Sequence, residues 1–354
     1  MQADEKADRP WSPERRRALK ALAGTAAVAV LGGGGWLVAR RGRDVFEVRR
    51  ERSLMQTSVV VSCLAADAAA CGTAIEAAYA RMAAATRVLT RFDPAGPVAR
   101  LNRDGHLDQP PAMLREVLQQ AQAVSARTDG DFDISVLPVL RYFESLRQPA
   151  GLDAAIRARI HQRDHLVGYR GITLDAQGVR FARPGMAITL DGLAKGYVID
   201  QGIAALRAYG IDDALIDAGG DVRAISSGRI AHRWRVGIVD PADIGRIAAV
   251  VELRNAALGT SGNYRIFYDA DKTLFHVIDP HTGYSPLHYA SVTVMAETSV
   301  AADALSVAAA SMPLPRLRET MRGWNAQWLV FDRANRRAWR SPLLPQVAGS
   351  AEVA

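Results

Sequence analysis

The sequence predicts an α+β fold, with helices gathered early in the folded region and a sheet of short strands after them. Core-type residues recur every three to four positions through 73–91 (Ile75, Tyr79, Met82, Thr86, Leu89) and through 113–126 (Leu114, Val117, Leu118, Ala121, Val124). That is the period of an amphipathic helix. From Gly171 onward the texture changes to short apolar runs between turn residues, which reads as strands. The two kinds of segment do not alternate regularly, so a doubly wound parallel sheet fits less well.

In chain order, a basic linker over 42–52 leads to a valine-rich first strand at 57–64. The 73–91 helix follows, then a loop marked by Pro94, Gly96 and Pro97, the 113–126 helix and a third, less regular helix at 156–165. Strands are expected at 172–174, 179–182 and 187–190, then a helix over 192–209 stopped by Gly210. Further strands are expected at 214–217, 221–226, 235–239, 248–253, 264–269, 274–279 and 291–296. Helices at 299–310 and 315–322 and strands at 326–331 and 338–339 complete the domain. The expected organisation is a signal or anchor helix over 1–41, the linker, one domain over 53–345 and a tail over 346–354.

The chain has 354 residues, 49% of them hydrophobic and 23% charged, a balance that excludes a disordered protein. Its net charge of +7 is concentrated at the start, where residues 1–52 hold twelve basic and seven acidic residues. The remainder has no basic stripe interleaved with aromatics, so no nucleic-acid partner is expected.

Residues 14–20 read E-R-R-R-A-L-K, 21–39 carry no charge, and Arg40 and Arg41 close the stretch. This resembles a twin-arginine export signal, with the glycine run 32–35 keeping its hydrophobicity low. Nineteen uncharged residues at about 1.5 Å each also approach the thickness of a bilayer core. Membrane contact through residues 18–39 is therefore the alternative to cleavage, and Leu37-Val38-Ala39 is not a clean A-x-A site. A periplasmic location is expected on either reading. Cys63 and Cys71 are too few for a disulfide scaffold and wrongly spaced for zinc; a bridge and two buried free thiols both stay open.

Five glycine-punctuated polar segments carry the candidate chemistry. The first, T-D-G-D-F-D at 128–133, places three carboxylates around a glycine, more than a solvated turn requires. The second, L-D-G-L-A-K-G-Y-V-I-D at 190–200, runs from an expected strand into a helix. Its glycines let backbone amides approach an anion and Lys195 adds a charge, although a close-packed turn would use the same residues. The third, I-D-A-G-G-D at 216–221, reads as a tight turn. The fourth pairs G-T-S-G at 259–262 with H-V-I-D-P-H-T-G at 276–283, making His276 a candidate general base. The fifth, A-D-A-L-S-V at 302–307, puts Asp303 near a helix start, either as a cap or as a ligand for a hard cation.

In this order and spacing the segments resemble the ApbE family of FAD:protein FMN transferases over residues 55–310. The match also takes in Met55-Gln56-Thr57 (where the family usually has M-G-T), the run 91–102 and T-S-G-N-Y-R at 260–265. The resemblance implies a T-fold-like mixed sheet with packed helices, and a cleft that takes FAD as substrate with Mg²⁺ on its diphosphate. Carried over by motif, Met55 flanks the flavin nucleotide and Phe92 replaces a tyrosine that stacks on adenine. Asp131, Phe132 and Asp133 line the FAD site, and Thr189 holds a position often acidic in relatives. Lys195 contacts the nucleotide, and Val277 touches it through its backbone.

For the metal, the resemblance implies the Gly192 carbonyl, Asp303 and the last two positions of A-D-x-x-S/A-T, here Ser306 and Val307. Valine offers no ligand where relatives carry threonine, which leaves Ser306 or water. In the implied reaction His276 takes a proton from an acceptor threonine, whose oxygen attacks the FMN-side phosphorus, and AMP leaves. The implied partner is a flavoprotein carrying a threonine motif of the D-G-x-T-x-x-T type; this chain lacks that motif and reads as the modifier. The export signal is similar to that of the NosX-like branch. Two alternatives remain: a non-catalytic FAD-binding maturation factor for an exported respiratory complex, motivated by Val307, and FAD hydrolysis without an acceptor.

Overall fold

The computed structural model describes residues 29–31, 36–40, 44–147, 149, 151–263, 266–333 and 337–345, the first two ranges by backbone alone. Strands β1 (Ala29–Leu31), β2 (Trp36–Arg40), β3 (Phe46–Leu54) and β4 (Thr57–Ala65) form an antiparallel meander. Met55 and Gln56, at φ 53° and 58°, close the β3–β4 hairpin. Two left-handed central residues are what a two-residue turn of matching twist demands.

Helix α1 (Ala68–Leu89) starts where the Asp67 carboxylate accepts from the Ala69 amide at 2.7 Å, and it buries Cys71, Ile75, Ala78, Tyr79, Met82 and Leu89. Next come α2 (Pro97–Asp104), β5 (His106–Asp108), α3 (Ala112–Arg127), α4 (Leu137–Ser145) and α5 (Ala154–Asp164). Strands β6 (Ile172–Leu174) and β7 (Gly178–Phe181) pair with each other, and β5 joins β7, to make a small side sheet. After α6 (Ala194–Ala208) come β8 (Ala214–Ala218), β9 (Asp221–Ile225), β10 (Trp234–Asp240), β11 (Asp243–Leu253), β12 (Ala256–Gly262) and β13 (Tyr289–Ala296). The last elements are α7 (Ser299–Ser311), α8 (Leu314–Gly323), β14 (Gln327–Asp332) and β15 (Ala338–Arg340).

The main sheet has ten strands in the order β1-β2-β3-β4-β8-β9-β12-β13-β14-β15. Its pairings are all antiparallel, so the expected mixed sheet is corrected. Helices α1, α6 and α7 lie against one face, joining Ile75, Met82, Ile203 and Leu305 to Val59, Val61, Ile216 and Val294 in the principal core. The β10–β11 hairpin covers the opposite face, with Trp234, Ile238, Val251 and Leu253 against Leu64, Val222, Leu258 and Leu329. Burying apolar surface on both faces is what gives the sheet its sandwich position.

Several expectations are corrected. Residues 46–52 of the expected linker belong to strand β3, because its partner β4 is buried and supplies a full-length ladder. Within the expected signal helix, Ala29–Leu31 and Trp36–Arg40 are strands; residues 1–28, 32–35 and 41–43 lie outside the described residues. Among the described residues no helix is long and apolar enough to cross a membrane. The stretch 187–190 is not a strand, because the Asn102 side chain takes the place of a ladder, accepting from the Ile188 amide at 2.7 Å and donating to its carbonyl at 2.8 Å. The expected strands at 264–269 and 274–279 reduce to one bridge between Phe267 and Phe275, with Tyr264 and Arg265 outside the described residues. Cys63 and Cys71 are both buried and free.

Candidate functional site

Glycine at two positions lets α7 approach its neighbours closely. A Cβ at Gly196 would stand 2.3 Å from the Ser299 carbonyl oxygen, and one at Gly259 would stand 2.5 Å from the Ala302 carbonyl carbon. Asp200, the last residue of the 190–200 segment, accepts from the Ser299 amide at 3.0 Å and the Val300 amide at 3.1 Å, and the Arg223 guanidinium pairs with it. The start of α7 is thereby capped by a residue of α6. One turn further on, the buried Asp303 carboxylate reaches the N-terminus of α6, where Oδ2 accepts from the Gly196 amide at 3.0 Å. That helix end favours negative charge.

A compact set of charges gathers around this point. Lys195 Nζ lies 2.8 Å from Asp221 Oδ2, and Asp221 Oδ1 accepts from the Thr260 amide at 3.0 Å. Burial first, then the Asp221 carboxylate, push the Asp303 carboxyl up to about 7, while Lys195 and the Gly196 amide pull the other way. Asp221 Oδ2 is buried with Lys195 as charge partner but without an aligned hydrogen bond. Two buried carboxylates, one of them reluctant to ionise, make a place where a further positive charge is favourable.

His276 faces the same charges. Its side chain is exposed, yet protein atoms around it partly desolvate the ring. This desolvation lowers its pKa from the usual value, Lys195 lowers it further, and Asp191 opposes both. Lys195 and Asp191 also act on Asp303. The imidazole and the carboxylate are therefore within electrostatic reach of the same two charged groups, although they lie 27 positions and a strand apart in the chain.

Asp191 is tied to an aromatic ring through Arg91. Arg91 donates to Asp191 Oδ2 at 2.9 Å and to Glu144 Oε1 at 2.5 Å, and its guanidinium lies 4.2 Å from the centroid of Phe92. Phe92 itself is 62% exposed, which leaves part of its ring surface free for a stacking partner.

The other sequence-predicted residues sort by contact. Phe132, Gly192 and Val307 meet: a Cβ at Gly192 would lie 3.3 Å from the Phe132 ring and 3.2 Å from a Val307 methyl. Ser306 is buried, with Oγ donating to the Asp303 carbonyl at 2.8 Å and lying 2.8 Å from Ser261 Oγ. The Asp131 carboxylate is shared between His281 Nε2 at 3.2 Å and Arg316 Nε at 2.7 Å. Asp133 accepts from the Ser135 amide and hydroxyl and from the Tyr169 amide, so the two acids chiefly hold their own loop. Thr189 Oγ1 accepts from the Asp191 amide at 3.2 Å. Met55 sits in the turn beside the 219–221 turn, where a Cβ at Gly219 would strike Thr57 Oγ1 at 2.4 Å. Val277 is buried beside Phe275, Asn263 and Tyr289 at the far end of β12.

Sequence reasoning missed Asp221, Asp191 and Arg91 as site residues. Asp221 had a signal, since it ends the I-D-A-G-G-D turn, but a tight turn explains that turn equally well. Among the described residues no three His, Cys, Asp or Glu side chains stand close enough to hold a metal unaided. A cation here would draw on Asp303 together with backbone, hydroxyl and substrate oxygens, which is how Mg²⁺ is commonly held.

The ApbE family model matches residues 53–328. The FAD:protein FMN transferase of Haemophilus influenzae is 30% identical over 220 residues, 59% of this chain and 64% of that protein. The chain thus spans just under two thirds of the length of that relative. The FAD:protein FMN transferase of Salmonella typhimurium is 28% identical over 240 residues, 65% of this chain and 68% of its own. Among solved structures, the ApbE protein of Thermotoga maritima superposes with a TM-score of 0.73 at 26% identity, covering 84% of this chain and 97% of that one. The flavin transferase ApbE of Vibrio cholerae gives 0.70 at 20% identity, which speaks for the fold alone.

Proposed function

The chain belongs to the ApbE family, and from that premise we propose that it transfers FMN from FAD to a threonine hydroxyl of an acceptor protein, with release of AMP. The observation that carries this reading is that His276 and Asp303 feel the same Lys195 and Asp191 charges, with Asp303 bonded to the Gly196 amide beside Lys195. His276, its pKa lowered by the protein atoms that partly desolvate the ring and by Lys195, accepts the proton of the attacking hydroxyl. Lys195 faces the diphosphate, Phe92 offers its open ring to the adenine, and Phe132 and Met55 flank the nucleotide. The acceptor oxygen forms a bond to the FMN-side phosphorus as the bond to AMP breaks.

The donor set fits a hard divalent cation such as Mg²⁺, because Asp303 is a buried carboxylate held up to about 7 beside a second acid. Asp303, the Gly192 carbonyl and Ser306 would hold it. When bound, the cation neutralises the diphosphate and stabilises the leaving AMP.

The test mixes FAD, Mg²⁺ and an acceptor domain with the wild type and with Asp303→Ala. AMP release and an SDS-stable fluorescent acceptor are expected from the wild type alone. Intact FAD with no covalent flavin counts against transfer, and AMP with free FMN assigns hydrolysis instead.

A second reading, a non-catalytic FAD-binding maturation factor, is favoured by one contact. Val307 methyls pack where relatives carry a threonine, and the neighbouring Ser306 hydroxyl is engaged by Ser261 and the helix carbonyl. Under that reading Val307→Thr switches on transfer while FAD affinity stays unchanged.

We also propose export to the periplasm, supported by Arg15, Arg16 and Arg17 ahead of the uncharged stretch 21–39. Cytoplasmic retention of an Arg16→Lys, Arg17→Lys double variant, with export of the wild type, would support it.

A further inference from the structure

The face of the sheet away from α1, α6 and α7 carries a feature that flavin transfer does not use. A concavity of about 520 Å³ lies there, lined by Arg233 just before β10, Arg235 of β10, Glu252 of β11, Arg254, Ala256 and Met295, with Pro345 at its edge. We propose that it is a second binding site, for a small organic anion carrying carboxylate or phosphate groups.

Charge is the first argument. Three arginines line the concavity against one carboxylate, and among the described residues the Glu252 carboxylate is paired with Arg233, through Oε1 at 2.9 Å and Oε2 at 3.1 Å. Among the described residues neither Arg235 nor Arg254 has a carboxylate within ion-pair distance, so the lining carries two positive charges without a counter-charge. Guanidinium forks match carboxylate and phosphate oxygens in pairs, and an anion between them removes their mutual repulsion.

Rigidity is the second. Arg235 stands opposite Glu252 in the β10–β11 register, and the chain neighbours Trp234 and Leu253 are buried in the hairpin core. The Glu252 amide donates to the Pro345 carbonyl at 3.0 Å, which fixes the rim. Arg235 and Glu252 are therefore mounted on strands, and Arg233 and Arg254 directly adjoin strand ends, so the backbone beneath the charges is already ordered when a ligand arrives. Size and floor are the third argument. The volume suits a small molecule, well beyond a bare phosphate, and Ala256, Met295 and Pro345 give its carbon skeleton an apolar surface.

The test is calorimetric titration of the full chain with citrate and with pyrophosphate, FAD being present in saturating amount so that the helix-side cleft is filled. Saturable one-to-one binding to at least one probe is expected, weakened at least about tenfold in an Arg235→Ala, Arg254→Ala double variant. Both side chains are exposed, and an unchanged thermal midpoint would confirm folding. Glu252→Gln, which removes the competing carboxylate, is expected to tighten the same probe. Binding of citrate alone assigns carboxylates, and of pyrophosphate alone phosphates. No saturable binding at millimolar probe, equal affinity in the double variant, or binding of polyglutamate with neither small probe would each overturn the proposal.

Discussion

The Gly196 amide donates to Asp303 Oδ2 at 3.0 Å, tying together the first turns of two helices whose residues are 107 positions apart. The contact exists because Gly196 has no Cβ to strike the Ser299 carbonyl and because Gly259 lets α7 settle on β12. Position and chemistry are thus coupled: the carboxylate that serves the cleft is held by packing that small residues permit.

Gly259→Ala is expected to cost about 3 kcal/mol of stability, since a methyl 2.5 Å from the Ala302 carbonyl carbon must push α7 away. Urea unfolding measures the loss. FAD affinity should fall as well, because Asp303 moves with the helix.

Asp303→Asn should bind cation and turn over poorly yet be the more stable protein above neutral pH. The folded carboxyl titrates at about 7, against about 4 when unfolded. Between those values the folded chain holds a proton that the unfolded chain has released, so wild-type stability falls as pH rises from about 4 to about 7. The asparagine protein lacks that fall and should gain about 2 kcal/mol at pH 8, with the gain vanishing near pH 4. Metal-free unfolding curves at both pH values decide it.

His276→Gln should abolish transfer while leaving FAD binding within about twofold, as expected for a group that moves a proton. In the wild type the rate should rise with pH through an apparent pKa below 6.5, because partial desolvation of the ring and then Lys195 disfavour the imidazolium. Asp191→Asn removes the charge that opposes them, so that acid limb should move to still lower pH. A limb that stays in place would remove His276 as the titrating base.

Gln56→Gly should stabilise the fold by about 1 kcal/mol, because Gln56 sits at φ 58° in a turn where glycine carries no steric penalty. Thermal denaturation reads the change, and transfer activity should not respond.

Much of the fold was legible. Helices α1, α3, α6, α7 and α8 lie where apolar spacing predicted them, and Gly210 at φ 76° follows α6 as its expected stop. The misses have local causes. Strand β12 reads A-A-L-G-T-S-G, with little intrinsic preference for strand, and it is extended because β9 and β13 hold it on either side. Strand β3 carries three arginines and two glutamates and reads as a linker, but pairing with β4 puts Val48 in the core. The stretch 187–190 looked like a strand for its apolar run, but side-chain amides from Asn102 satisfy it instead.

The site divides in the same way. The chain alone determined which chemical groups are present: His276, Asp303, Lys195 and the glycine turns, each in a motif that its neighbours in sequence make recognisable. Only the tertiary structure decided that Asp221 pairs with Lys195, that Arg91 links Phe92 to Asp191, and that Asp131 is held by Arg316. Motifs are local in sequence, whereas ion pairs, desolvation and close backbone approach depend on distances through space. Those distances are set by how three helices pack on one face of the sheet.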